Sequence, residues 1–215
     1  MDQLFRLTEN HRYWFLITLV LVTLTIQGFL IAMFYNPDVL TSSVDPQQFW
    51  AIATNLHTTG SYSFDGITPT RMRQPLYPSL LAILQFIPGP TLIFVYVSGA
   101  LLNIGTLLVT YFFARHLYGN AVATLTSLQL GLYVPFLATS SLVMNEALFL
   151  FLLTTAIFLL VSIASRGHHA KTPWILSGIF FATATLTRPV ALLIPMLILV
   201  TIVVFWGWKH FTSMI

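Results

Sequence analysis

Cysteine is absent, and Asp, Glu, Lys and Arg together make up only 7% of the 215-residue chain. The first absence removes disulfide frameworks and thiolate metal sites, and with them any inference about the redox compartment. The second removes the soluble globular class, because 57% of the residues are apolar and no water-facing surface can be built from what remains. Histidine offers no ligand pattern: His11, His116, His168, His169 and His210 stand in or beside charged breaks, and no pair has the spacing of a helical zinc motif. The net charge is only +3 and the basic residues are scattered, so nucleic acid is not an expected partner. Internal repeats and low-complexity tracts are also missing. The first apolar run overshoots the core of a secretory signal and lacks its small-residue exit, so it is expected to stay as an anchor.

What the chain does contain is a series of apolar runs interrupted by one long polar interval, Asp45 to Pro78. The first half of that interval predicts an amphipathic surface helix over 45–59, with Phe49, Ile52, Ala53 and Leu56 on one face. Asp45 is placed as its N-cap, Pro46 at the first helical position, and Gln48 where a capping box would put it. Gly60 ends the helix. Turn residues Asp65-Gly66 and Pro69 follow, then Arg71 and Arg73, then Pro75 and Pro78 around Tyr77. Such a segment is expected to lie on a membrane surface.

The apolar runs predict an all-α, polytopic transmembrane helix bundle of about six spans in a single membrane domain, 1–215. Residues 13–34 carry no charge and reach across a hydrocarbon core of about 30 Å at about 1.5 Å per residue. After the outer loop 35–90 and its interfacial helix 76–87, further spans are expected at 91–113, 121–138 and 147–164. The stretch from Trp174 to Trp206 would measure roughly 50 Å as one helix, so Arg188-Pro189 is read as a break between spans 174–187 and 189–206. Six spans place both termini on one side. Arg6, Arg12, Arg115, Arg166, Lys171 and Lys209 then fall inside, against Arg71, Arg73 and Arg188 outside, which predicts cytoplasmic termini. Four of the six acids, Asp38, Asp45, Asp65 and Glu146, fall outside, so the extracytoplasmic face is the expected location of any chemistry.

Three residues converge there, and each has an ordinary alternative. Asp45 can be a helix cap, Glu146 an acid favoured by a helix dipole, and Arg188 a side chain reaching to the headgroups. Arg188 stands out, because a cation near the membrane interior is costly and marks function. Beside the start of the helix opened by Pro189 it makes an anion site suited to a phosphate at headgroup depth, to which Arg71 and Arg73 add positive charge. A carboxylate facing that site would act as general base in group transfer from a lipid phosphate.

Three ordered motifs carry a resemblance. Asp45-x-x-x-Phe49, Ala51-x-Ala53-x-x-Leu56-x-x-x-Gly60-x-Tyr62-Ser63 leads to Arg73-Gln74-Pro75-Leu76-Tyr77-Pro78. Ser141 to Leu148 contains Asn145-Glu146, and Gly178 is followed by Ala184-Thr185-Leu186-Thr187-Arg188-Pro189-Val190-Ala191-Leu192. In that order they resemble membrane glycosyltransferases of the GT-C class. The closest likeness is to the superfamily of dolichyl-phosphate-mannose protein mannosyltransferases and aminoarabinose transferases, with its lipopolysaccharide-core galacturonosyltransferase relatives. The resemblance implies a polyprenyl-phosphate-linked sugar donor, taken from the extracytoplasmic side of a plasma or inner membrane, and a glycan, lipid or protein acceptor. It makes Asp45 the loop base, Glu146 the second-loop acid, and Arg188, with Arg73 and Arg71, the lipid-phosphate ligands. Tyr62, Asp65 and Tyr77 are the loop's candidate contacts to acceptor and donor. No cofactor is implied; a divalent ion on Asp45, Asp65 and Glu146 ranks below metal-free catalysis.

The departures are specific. Pro46 follows Asp45 where many relatives have a second acid, and Gln74-Pro75-Leu76-Tyr77 replaces a common Pro-Pro-Gly-Tyr. Family members usually carry further spans, which implies an N-terminal part, a split enzyme completed by a partner chain, or a minimal module. Two other functions compete: a polyprenyl-lipid-binding accessory subunit without turnover, and a small transporter with Arg188 on its path. The long outer loop favours the enzyme, since a transporter rarely needs one. The enzymatic reading requires the surface-helix acid and Arg188 to face one pocket open to lipid.

Overall fold

The computed structural model describes residues 2–38, 40, 43–166 and 171–212. The basic break Arg166 to Lys171, read as a cytoplasmic loop, has its residues 167–170 outside that set, as are 39, 41 and 42 of the outer loop. In chain order the helices are α1 (Asp2–Phe34), α2 (Val44–Thr59), α3 (Leu76–Gln85), α4 (Thr91–Tyr118), α5 (Asn120–Leu132), α6 (Val134–Ala138), α7 (Glu146–Arg166), α8 (Lys171–Thr185) and α9 (Leu193–Thr212). Short 3-10 turns at Thr139–Ser141 and Pro189–Leu192 precede α7 and α9. Among the described residues the only strand-like pairing is a bridge between Ser63 and Pro69. Tyr13–Phe34 and Thr91–Tyr118 are long and apolar enough to cross a membrane, and the bent pair formed by α5 with the segment 134–141 counts as a third candidate span. The protein is therefore an integral membrane protein. Leu76–Gln85, Glu146–Ser162 and Pro189–Thr201 are shorter apolar helices.

The chain divides into two compact units, one of Met1–Gln47 with Pro88–Ala147, the other of Gln48–Ile87 with Leu148–Ile215. In the first, α4 runs past Arg115 and His116 to Tyr118, so the second span is longer than its charged boundary suggested. Gly119, at φ 84°, turns the chain into α5. The third span was expected to be continuous over 121–138; instead it bends by 56° after Leu132. Pro135 is the reason. It has no N–H to give the Gly131 carbonyl one turn back, and Tyr133 takes an extended conformation. The Thr23 hydroxyl of α1 donates to that Gly131 oxygen at 3.3 Å.

Amides inside the apolar spans hold the bend. The Asn103 Nδ2 of α4 donates to Gln27 Oε1 at 3.1 Å, to the Phe136 carbonyl at 3.2 Å and to Thr139 Oγ1 at 3.2 Å. Gln27 and Asn103 are fully buried. Without water to compete, such bonds specify how the helices meet. Gly99 of α4 lets the backbone after the bend come close: a Cβ there would stand 3.1 Å from Ser140 Cα and 3.3 Å from its carbonyl oxygen.

In the second unit, α2 buries Phe49, Ile52 and Ala53, and α3 buries Tyr77, Leu81 and Ala82. Phe49 and Tyr77 meet edge to face at 5.1 Å. Helix α2 starts at Val44 rather than with Asp45 as its cap, so Asp45 lies within the first turn, where the Gln47 N–H reaches the Ser43 carbonyl at 3.1 Å. Gly60, at φ 72°, ends it as expected. A small hairpin follows, closed by the Thr70 N–H on the Tyr62 carbonyl at 2.9 Å. It is fixed to α2 by Asn55 Nδ2 on the Ser63 carbonyl at 3.0 Å. Helix α8 is joined to α7 by Ser177 Oγ, which donates to the Ala156 carbonyl at 2.9 Å. The break at Arg188-Pro189 is present: Arg188 is extended, at φ −145° and ψ 123°.

Gly99→Ala must move the Ser140 backbone and is expected to lower stability by about 1–3 kcal/mol. Gly28→Ala, where an added Cβ meets nothing within 4 Å, should be neutral or stabilising by up to about 1 kcal/mol. Thermal unfolding in detergent compares the two, and equal midpoints would remove the close-approach argument.

Candidate functional site

The polar interval and the break after α8 meet in the second unit. Arg73 is held from two directions by α2: its Nε–H donates to Gln48 Oε1 at 2.7 Å, and its guanidinium carbon stands 4.9 Å from the centre of the Phe49 ring. A charge-assisted hydrogen bond and a cation over an aromatic face are both favourable for a guanidinium. Tyr77 packs on the same Phe49 ring, which makes it an anchor of the core. The Tyr62 hydroxyl donates to the Arg73 and Gln74 carbonyls at 3.0 and 3.1 Å, fixing the backbone from which the arginine springs.

The next residues are tied to the broken helix. The Leu76 N–H donates to the Leu186 carbonyl at 3.1 Å, past the end of α8, where carbonyls have no intrahelical donor. Two residues on, half-buried Arg188 places its guanidinium 5.6 Å from the centre of the Phe149 ring on α7. Pro189 opens a four-residue 3-10 turn, not the long helix expected to present a dipole to an anion; the α-helix begins at Leu193. Between α7, α8 and α9 lies an apolar cleft of about 220 Å³, lined by Leu160, Trp174, Phe181, Pro195 and Ile198 among others.

The other predicted residues are placed differently. Asp65 is fully exposed, and its carboxylate accepts the Ile67 and Thr68 N–H groups at 2.9 and 2.7 Å. Those bonds, that of Thr68 first, hold its pKa below the usual carboxylate value and make it the organiser of the hairpin turn. Arg71 is exposed. Asp45, in the first turn of α2, and Glu146, the first residue of α7, are half-buried and belong to the first unit. Both positions suit a negative charge at a helix start. Among the described residues no three His, Cys, Asp or Glu side chains are grouped as a metal site. Sequence reasoning missed Gln48 and Phe49 as the holders of Arg73. The available signal was an amide one helical turn from the start of α2, and it was assigned to capping.

The family model that matches is that of the dolichyl-phosphate-mannose-protein mannosyltransferases, over residues 72–215. The chain belongs to this family. No curated protein and no solved structure matches it. As a family member it is a membrane glycosyltransferase of the mannosyltransferase type. The matched region takes in Arg73, Tyr77, Glu146 and Arg188; Asp45, Tyr62, Asp65 and Arg71 lie upstream of it.

Burial pushes the pKa of Tyr62 up to about 12, so its neutral, donating form is favoured by folding. Its contribution to stability is therefore complete below the ordinary tyrosine value of about 10 and is lost as pH rises through about 12. Tyr62→Phe is expected to cost about 0.5–1.5 kcal/mol at neutral pH and to flatten the alkaline loss of stability. An alkaline unfolding curve identical to that of the unaltered protein would remove the hydroxyl from this account.

Proposed function

We propose that this mannosyltransferase-family protein moves a sugar from a polyprenyl-phosphate donor to an acceptor hydroxyl on the extracytoplasmic face of a six-span membrane domain with cytoplasmic termini. What supports the reading is the Leu76–Leu186 hydrogen bond of 3.1 Å, which joins the Arg73 segment to the break carrying Arg188. Two cations on one scaffold suit a lipid phosphate, and the apolar cleft between α7, α8 and α9 suits its chain. Phe181 and Pro195, which line the cleft, stand seven residues on either side of Arg188. They stand on α8 and α9, the two helices that flank the break.

In this mechanism Asp45 takes the proton of the acceptor hydroxyl as its oxygen attacks the anomeric carbon. The bond from that carbon to the phosphate oxygen breaks, and its electron pair leaves with the polyprenyl phosphate. Arg188 and Arg73 stabilise the charge that develops there, where fixed cations act most strongly on the barrier. Glu146 serves as the second acid and orients the acceptor. A protein, glycan or lipid hydroxyl fits this chemistry equally well.

The test is transfer of labelled mannose from polyprenyl-phosphate-mannose by the full chain in proteoliposomes. Arg188→Ala should lower kcat/KM by about 100- to 1,000-fold, and Asp45→Asn by about 100- to 10,000-fold. Unchanged transfer by the Asp45 variant would overturn the base assignment; unchanged transfer by the Arg188 variant would overturn the phosphate site.

The cleft can be tested separately from Gly178, which also lines it and where an added Cβ meets nothing within 4 Å. Gly178→Leu should raise KM for a long-chain donor several-fold and leave that for a short-chain donor nearly unchanged. An equal effect on both donors would count against a tail in the cleft.

A further inference from the structure

We propose that Gln48 and Phe49 are positioning residues for Arg73, setting the plane and direction in which its guanidinium meets a lipid-borne phosphate. The proposal rests on the phosphate reading above and goes one step deeper. An arginine side chain loses much rotamer freedom when ordered, so an arginine that must already be aimed when substrate arrives needs restraints that exist without it. Arg73 has three. The Tyr62 hydroxyl holds its carbonyl and the next at 3.0 and 3.1 Å. Gln48 Oε1 takes Nε–H at 2.7 Å. The Phe49 ring, with its centre 4.9 Å from the guanidinium carbon, limits rotation about the last bonds.

The choice of acceptor matters. A carboxylate at position 48 would hold Nε at least as firmly, but it would bring a negative charge to the place where a phosphate is to bind. A carboxamide oxygen orients the same N–H without adding charge. Phe49 is fixed in turn by Tyr77, edge to face at 5.1 Å. The aim of Arg73 is thereby referred to the buried contact between α2 and α3.

A merely structural clamp and a positioning residue respond differently to charge. The full chain in phosphatidylcholine nanodiscs is titrated with polyprenyl monophosphate, with phosphatidic acid and inorganic phosphate as separate arms. Gln48→Ala is expected to weaken polyprenyl phosphate binding about tenfold. Gln48→Glu should weaken it at least as much while keeping the thermal midpoint, because it preserves the acceptor and changes only the charge; it carries the test if the alanine variant fails to fold. Gln85→Ala, which removes a 3.3 Å bond to Thr54 elsewhere on α2 and α3, should bind as the unaltered protein does. Loss of binding in Arg73→Ala alone, with both Gln48 variants unaffected, would overturn the positioning role and leave the phosphate reading standing. Unaltered binding by Arg73→Ala would overturn the phosphate reading itself. The same dependence on residue 48 in the phosphatidic acid or inorganic phosphate arm would overturn the assignment to a polyprenyl donor.

Discussion

A backbone carbonyl that loses its helical partner in an apolar environment must find another donor, and this requirement shapes both halves of the molecule. Each lost bond inside hydrocarbon costs several kcal/mol if nothing replaces it. Pro135 frees the Gly131 carbonyl, and Thr23 of α1 answers it at 3.3 Å. The stop before Pro189 leaves the Leu186 carbonyl beyond α8, and the Leu76 amide answers it at 3.1 Å. In both cases the break in one helix becomes the attachment point for another segment. The first such joint shapes a packed bundle; the second brings the polar interval to the break that carries Arg188.

The two units use polar groups differently for the same physical reason. In the first, Gln27, Asn103 and Thr139 spend their hydrogen bonds on each other and on the Phe136 carbonyl, which fixes one arrangement of α1, α4 and the bent segment. In the second, Gln48 of α2 and Tyr62 of the hairpin bond to Arg73 and its backbone, and Asn55 ties the hairpin to α2. Amides specify packing in the one and hold an arginine in the other. A family whose chemistry works on lipid-borne phosphates needs both, since a rigid bundle is of no use without a directed charge.

Much of this was legible in the chain. Uncharged runs gave the apolar parts of α1 and α4, Gly60 gave the end of α2, and Arg188-Pro189 gave the break, because each is a local signal whose meaning does not depend on distant residues. The bend at Pro135 was overlooked because an apolar proline does not interrupt a hydropathy run even though it interrupts the backbone ladder. Gln48 was assigned to a capping box by its spacing, yet its partner is 25 residues away, and no periodic pattern encodes that. Gln27 and Asn103 gave no signal in the sequence, because uncharged amides leave little trace in hydropathy and much in packing. Asp65 was expected as a loop contact to acceptor and donor; in the hairpin its carboxylate also holds a turn by accepting two amides, a local role that the spacing alone did not separate from the other.

The link between Leu76 and Leu186 has an implication for how this protein would answer genetic dissection. Both partners are main-chain atoms, so any side chain other than proline at position 76 keeps the joint intact. A collection of alanine replacements would report both leucines as dispensable, and natural drift could exchange them freely. What joins the loop to the broken helix is therefore hidden from every method that reads side chains, and is inherited through the course of the backbone alone.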